Sequence, residues 1–382
     1  MKKLEWLIPY YNDIELSRKQ VIDYLNVATK HENQKSLKRI YLYITFECNQ
    51  QCQYCWIHNN VSDSISTMPI SLIDKVISEA VLLGLESVKI TGGEPFTNPN
   101  LAMIVNLILE KGLNLDIETN GTLINKEWIK SINNKENLFL KISLDAAIAD
   151  IHDNLARSSV FKKTLESMGL LSEYGIKYGV VTVLNHLNFQ YLEDIIKFVS
   201  DLGALTHRII LNIQPIGRGK NVEELKLNLS ENVEVINRFY KLKAYNDKIE
   251  LGTLHTTLPP AFIPLDNFNF NSCNWGIGLC GIMPNGDVTL CSPAFDDMNL
   301  VAGNIYKGCL TDIWNHSNIF CEELTESKLE GVCSKCLFNE VCRGMCRVFA
   351  RATYGSENSP YPFCQEMYNE GLFPLWALNI EK

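Results

Sequence analysis

Residues 39–55 read RIYLYITFECNQQCQYC: a run of β-branched and aromatic residues gives way, within a few residues, to three cysteines. The run is short and rich in the side chains that fill strands, so it reads as a strand. Cys48, Cys52 and Cys55 then ride on one loop at its C-terminal end. Three thiolates at this spacing can wrap one cluster, and a four-iron cubane with three protein ligands keeps one iron open to a substrate or cofactor. The alternative is a zinc site, but structural zinc takes four N/S ligands and His58 is the only nearby fourth.

Outward from this stretch, short apolar runs alternate with helical patterns as far as about residue 215, the signature of repeated βα units around a parallel sheet. Strands are expected at 40–46, 87–91, 114–119, 139–145, 178–184 and 208–214, several as near-continuous buried runs. A helix is expected over 71–83, opened by a capping-box pattern of Ser71 and Asp74. Six units fall short of eight, so the fold class is α/β, a partial (β/α)6 TIM-like barrel working at the C-terminal ends of its strands. A bridging helix over 230–248 with Ser230 as N-cap and a Pro- and Asn-rich linker over 258–271 follow. The expected division is a 1–38 extension of no legible role, a 39–229 core, a 230–271 bridge and linker, and a 272–382 cysteine-rich domain with short helices. In that last domain, 282–290 reads as a β-hairpin turning at Asn285 and Gly286.

The chain has 382 residues, 46% apolar and 21% charged, which excludes collagenous and disordered classes. Its formal charge of -9 argues against nucleic acid or an anionic membrane as partner. Glu86, Lys89 and Glu110 interrupt the most apolar stretches before any reaches a membrane span, and Glu5, Pro9 and Asp13 break the only signal-like segment. A cytoplasmic protein is expected. Thirteen cysteines, an odd number in tight clusters, then point to thiolate ligation of metal rather than disulfides. Ten of them fall between Cys273 and Cys364, in the order Cys273, Cys280, Cys291, then Cys333-x2-Cys336-x5-Cys342-x3-Cys346, and finally Cys364, with Cys309 and Cys321 read as core thiols.

The Cys48-x3-Cys52-x2-Cys55 triad, with the aromatic Tyr54 before its last cysteine, resembles the signature of the radical S-adenosylmethionine (radical SAM) enzymes. The resemblance implies that the open iron chelates the amino and carboxylate groups of SAM, and that the reduced cluster splits SAM to a 5'-deoxyadenosyl radical that takes a hydrogen atom from substrate. Gly92, Gly93, Glu94 and Pro95, at the end of the second strand, resemble the GGEP motif that holds the methionyl amino group. By the same resemblance Ser143 and Arg157 contact the SAM carboxylate and Asn120 approaches the ribose, although a turn-forming Asn is the plainer reading of Thr119-Asn120-Gly121. Ala146 and Ala147 stand where a Gly usually follows Ser143-Leu144-Asp145.

The C-terminal cysteines, with Gly286 between Cys273 and Cys291, resemble the SPASM domain, which holds two auxiliary 4Fe-4S clusters. With Cys280 the local count is eight, enough for two full ligand sets. The resemblance assigns Cys273, Cys280, Cys291 and Cys346 to the first and Cys333, Cys336, Cys342 and Cys364 to the second; if Cys280 is instead a buried thiol, the first keeps an open iron. Three clusters and SAM are the implied cofactors, with a low-potential donor such as flavodoxin or ferredoxin and an anaerobic setting.

The implied activity is a radical SAM oxidoreductase acting on a peptide, as a maturase of ribosomally made peptides that forms thioether or carbon-carbon cross-links. The alternatives are a small-molecule dehydrogenase or cofactor-biosynthesis enzyme, a sulfatase-maturase-like oxidation, and an idle iron-sulfur or zinc scaffold. Sulfatase maturases place an Asp base where this chain has Ser292, which leaves Asp296 or Asp297 for that role. Residues 1–38 are few for a leader-binding winged helix, so a separate leader-binding protein is a candidate partner. The 214–219 stretch, Gln-Pro-Ile-Gly-Arg-Gly, resembles loops of these maturases and also suits a strand-ending turn.

Overall fold

In a computed structural model of the chain, the described residues are 18–23, 25, 36–57, 67–245, 253–263, 275–291, 293–294, 297–320 and 328–379. His58, the 264–271 part of the expected linker, Cys273, Ser292, Asp296 and Cys321 lie outside them.

The six expected strands form, as β1 (Arg39–Thr45), β2 (Ser87–Gly92), β3 (Asn114–Thr119), β4 (Leu138–Ser143), β5 (Lys177–Val183) and β6 (Thr206–Ile210). Each pairs in parallel with the next. The sheet does not stop at six. β7 (Thr253–Thr256) joins in parallel beside β6, and β8 (Leu279–Ile282) joins in parallel beside β1. β9 (Asp287–Thr289) and β10 (Val301–Asn304) continue antiparallel, giving one ten-stranded sheet. The expected hairpin is therefore β8–β9: Gly286 at φ +85° donates its N–H to Met283 O, and only glycine takes that conformation freely.

One face of the sheet is uniformly apolar. Ile40, Leu42 and Ile44, Val88 and Ile90, Leu115 and Ile117, and Leu140 and Ile142 pack against Val76 and Ile77 of the helix Ile70–Leu82 and Ile104 and Ile108 of the helix Leu101–Glu110. The other face lines the lumen. For that reason β3 and β4 alternate buried and less buried residues instead of running continuously buried, and the lumen side carries Lys89, Asp116, Glu118 and Lys141. Two helix starts differ from expectation. Pro69, extended, is the N-cap of the first helix, and Ser71 makes no capping bond because its backbone is already helical; Asp74 pairs with Lys111 instead. In the helix Leu229–Tyr245 the capping box is Asn228 with Glu231, each side chain accepting the other's backbone N–H at 3.0 Å, so Ser230 is not the cap.

A second core lies at the C-terminal end of the chain, where Phe262, Phe338, Phe363, Met367, Phe373 and Trp376 pack with Leu184 and Ile209 of the barrel. Val21 is fully buried there, and Arg18 donates to Leu378 O, so part of the N-terminal segment is tied to the C-terminal domain. No helix among the described residues is long and apolar enough to cross a membrane.

Candidate active site and cluster-binding sites

The cysteine loop lies across the C-terminal ends of the strands, and four neighbouring strand ends hold it. From β2, Gly93 donates to Thr45 O at 2.9 Å and Glu94 to Glu47 O at 2.7 Å. The two glycines of this motif are there for close approach to the chain itself. A Cβ on Gly92 would stand 2.2 Å from Thr45 O, and one on Gly93 2.1 Å from Glu47 O. From β3, Asn120 Nδ2 donates to Asn49 Oδ1 and Asn49 Nδ2 to Thr122 Oγ1, both at 2.9 Å. Beyond β4, Leu155 O accepts from Gln53 N at 2.9 Å, and Tyr54 donates its hydroxyl to Asp145. Beyond β6, Arg218 donates from Nε to Cys52 O at 2.7 Å and from its backbone N to Cys55 O at 2.8 Å.

Glu94 is fully buried with its carboxylate saturated from within: Oε1 accepts from Thr119 Oγ1 at 2.7 Å and Phe96 N at 3.0 Å, and Oε2 from Asn120 N at 2.8 Å. Burial raises its carboxyl above the ordinary range despite those donors. Pro95 opens the short turn Pro95–Thr97 that Glu94 caps. Tyr54 packs with Leu155, Ile213, Val222 and Leu225, so its place is that of a clamp between the loop and the strand ends. Its partner Asp145, itself buried, also accepts from Val183 N at 2.8 Å. Ser143 ends β4 with its side chain exposed on the lumen side. Arg157 is exposed, ending the helix Ala149–Ala156 at φ +51°.

The three thiols are half-buried or exposed. Burial pushes Cys48 up to about 11 and Cys52 to about 12, aided by their mutual repulsion and by Glu94 and Asp145, while Arg218 opposes it. Arg218 is the residue whose role the sequence did not disclose. Its signal is the flanking glycine: Gly217 at φ +55° passes so close that a Cβ would stand 2.3 Å from Trp56 O.

In the C-terminal domain Cys333, Cys336, Cys342 and Cys364 line one small cavity closed by Pro260, Phe338 and Tyr361. Tyr361 N donates to Cys333 Sγ at 3.3 Å. Burial pushes these thiols up, Cys342 to about 12, with repulsion from neighbouring thiols adding to it at Cys336, Cys342 and Cys364, while the buried Arg347 opposes it at Cys333, Cys342 and Cys364. Cys346 lies apart from them on the barrel side, its Sγ accepting from Gln214 Nε2 at 3.5 Å. Cys280 is fully buried in the apolar core that also holds Cys291. It sits in mid-β8 beside Ile40 in the apolar layer, and burial alone raises its thiol. Cys309 is half-buried at a helix start, near Thr311 Oγ1 at 3.1 Å, rather than in the core. Asp297 is bound to Arg351 and to Asn299, which hold its carboxyl below the usual range and leave it a poor base.

The chain matches the Radical SAM superfamily over residues 42–199 and the SPASM iron-sulfur cluster-binding domain over residues 273–337. It belongs to the radical SAM enzymes. It is 24% identical over 339 residues to the AdoMet-dependent heme synthase of Methanosarcina barkeri, covering 84% of this chain and 94% of that protein. It is 27% identical to the mycofactocin maturase MftC of Mycolicibacterium smegmatis, covering 85% of this chain and 81% of that one. Its fold matches Streptococcus suis SuiB bound to S-adenosylmethionine at a TM-score of 0.72 and 17% identity, over 89% of this chain and 80% of that chain.

A radical SAM enzyme with a SPASM domain uses 4Fe-4S clusters, typically three, together with SAM. The residues fit these groups. Three thiols share one loop pinned at four points, and four others surround a cavity. Among the described residues no three Cys, His, Asp or Glu side chains converge on a point that would hold a single ion.

Proposed function

We propose that this radical SAM/SPASM oxidoreductase modifies a peptide, as a maturase that installs a thioether or carbon-carbon cross-link. What carries the reading is similarity running through both domains to MftC, a protein named as a maturase, over 85% of this chain. SuiB, which shares the fold, has been crystallised with its precursor peptide SuiA. The second reading is a small-molecule or cofactor-biosynthesis enzyme, supported by similarity to heme synthases over 84% of the chain.

In this reading Cys48, Cys52 and Cys55 would hold the first cluster, which would supply the electron for reductive cleavage of SAM. Arg218 lies beside the thiolates as their counter-charge and fixes the loop through Cys52 O and Cys55 O. Gly92, Gly93 and Glu94 set the loop's height over the lumen. Ser143 and Arg157 face SAM's carboxylate, with Asn120 near its ribose. Cys333, Cys336, Cys342 and Cys364 hold one auxiliary cluster; Cys273, Cys291 and Cys346 hold the other, and Cys280 stays a core thiol. The core spans 39–229 and the SPASM domain 272–382. The site lies in the cytoplasm and draws electrons from a flavodoxin or ferredoxin.

The test is mass spectrometry, in deuterated buffer, of a small peptide encoded beside this gene and co-expressed with the enzyme anaerobically. A loss of about two mass units marks an oxidative cross-link, and a gain of about one marks radical epimerisation, either placing the chemistry on a peptide. An unchanged peptide with SAM still cleaved puts the small-molecule reading ahead.

A further inference from the structure

The lumen below the cysteine loop carries more positive than negative charge, and the surplus is localised. Glu118 pairs with Lys89 at 2.8 Å and Asp116 with Lys141 at 2.7 Å, so both lumen carboxylates are taken. Arg208 on β6 is a further cation on this face. It is exposed; its charge acts on Glu118 and His255, and among the described residues no hydrogen bond or ion pair engages its guanidinium. Register places it on the lumen side: Ser143, Val181, Arg208 and His255 are successive partners across β4, β5, β6 and β7. His207 and Ile209, which alternate with it, are buried on the opposite face. At ordinary strand spacing Arg208 lies about 5 Å from His255 and about 10 Å from Ser143, backbone to backbone. His255 is held below its usual range by partial burial and by Arg208 and Lys141, so near pH 7 it is a neutral hydrogen-bonding partner.

We propose that Arg208, with His255 beside it, is a carboxylate-receiving subsite of the substrate lumen. A planar guanidinium with a free fork matches a carboxylate bidentately, and a lumen shielded on several sides strengthens the pairing over that in open water. The ligand is an acidic side chain or chain terminus of the peptide, and in that form the inference rests on the proposed function. The same chemistry would receive the acid of a small-molecule substrate.

The test uses the anaerobically reconstituted holoenzyme with SAM, presented with synthetic nonapeptides bearing Glu, Gln, Lys or Ala at one position among randomised neighbours. In parallel it is offered a tetracarboxylate porphyrin and its methyl ester. Retention of Glu over Gln by about tenfold or more, lost in Arg208→Gln, partly kept in Arg208→Lys and weakened in His255→Gln, is the expected result. Peptides retained without acid preference, a preference that survives Arg208→Gln, or a fall in SAM affinity in place of the preference would overturn the subsite. If no peptide is retained but the porphyrin acid is held over its ester in an Arg208-dependent way, the subsite stands and the peptide reading fails. If neither acid is favoured, the subsite falls.

Discussion

Replacing Gly93 by Ala perturbs the site through one added methyl group. The new Cβ would stand 2.1 Å from Glu47 O, 2.5 Å from Glu47 C and 2.6 Å from Phe46 O, all backbone atoms that cannot rotate away. Contact needs about 3.5 Å, so the strand-to-loop junction must retreat by more than about 1 Å. Holding it in place would cost about 1–3 kcal/mol in overpacking, and letting it go forfeits the bonds Gly93 N–Thr45 O and Glu94 N–Glu47 O at about 1 kcal/mol each. When it lets go, Cys48, the next residue after Glu47, moves with it. A displacement of about 1 Å at a reacting centre costs about a hundredfold in rate. Anaerobically reconstituted Gly93→Ala should lose part of the iron of that one cluster, less than about a third of the total, and release 5'-deoxyadenosine about a hundredfold more slowly. The control is Gly169→Ala, at an exposed position of the helix Phe161–Glu173, where an added Cβ meets nothing within 4 Å; it should gain about 0.5–1 kcal/mol of stability. Full iron and wild-type cleavage in Gly93→Ala would refute the claim that these glycines seat the cysteine loop.

Tyr54→Phe removes a hydroxyl donor from the buried Asp145 and should destabilise the holoprotein by about 1–3 kcal/mol in thermal unfolding, with SAM cleavage falling alongside; an unshifted melting temperature refutes the clamp. His207, buried and pushed down to about 4, stays neutral in the fold while the unfolded chain takes up a proton below about 6.5. The unfolded state then binds more protons, stability falls as pH falls, and wild type should lose about 1 kcal/mol more than His207→Gln between pH 7 and 5.5; parallel pH profiles contradict this. Arg347→Gln removes a buried cation beside the four-cysteine cavity and should lower the reduction potential of that auxiliary cluster in an EPR titration, whereas an unmoved potential would separate Arg347 from it.

The six barrel strands and the loop bearing Cys48, Cys52 and Cys55 were readable because each leaves a local trace, a short β-branched run followed by ligands at short spacing. The joining of β7 and β8 to the same sheet left none. β8 pairs with β1 across some 240 residues of chain, and its four residues carry no pattern stronger than that of a hairpin arm. Counting brought Cys280 into a ligand set from the sequence, which could not show that its strand pairs with β1 and sets it beside Ile40 in the apolar layer. Arg218 was invisible as a contact because its partners are carbonyls of Cys52 and Cys55, some 160 residues earlier. The lumen charges fell in the same gap: Lys89, Glu118 and Arg208 are unremarkable until strand register sets them on one face.

The central claim is that Cys48, Cys52 and Cys55 hold the cluster that cleaves SAM, separately from the SPASM cysteines. The measurement is 5'-deoxyadenosine release and iron content of the Cys48→Ala, Cys52→Ala, Cys55→Ala triple variant after anaerobic reconstitution and reduction. The account predicts no detectable 5'-deoxyadenosine with about two-thirds of the iron retained. Cleavage that survives the loss of all three thiols would contradict it.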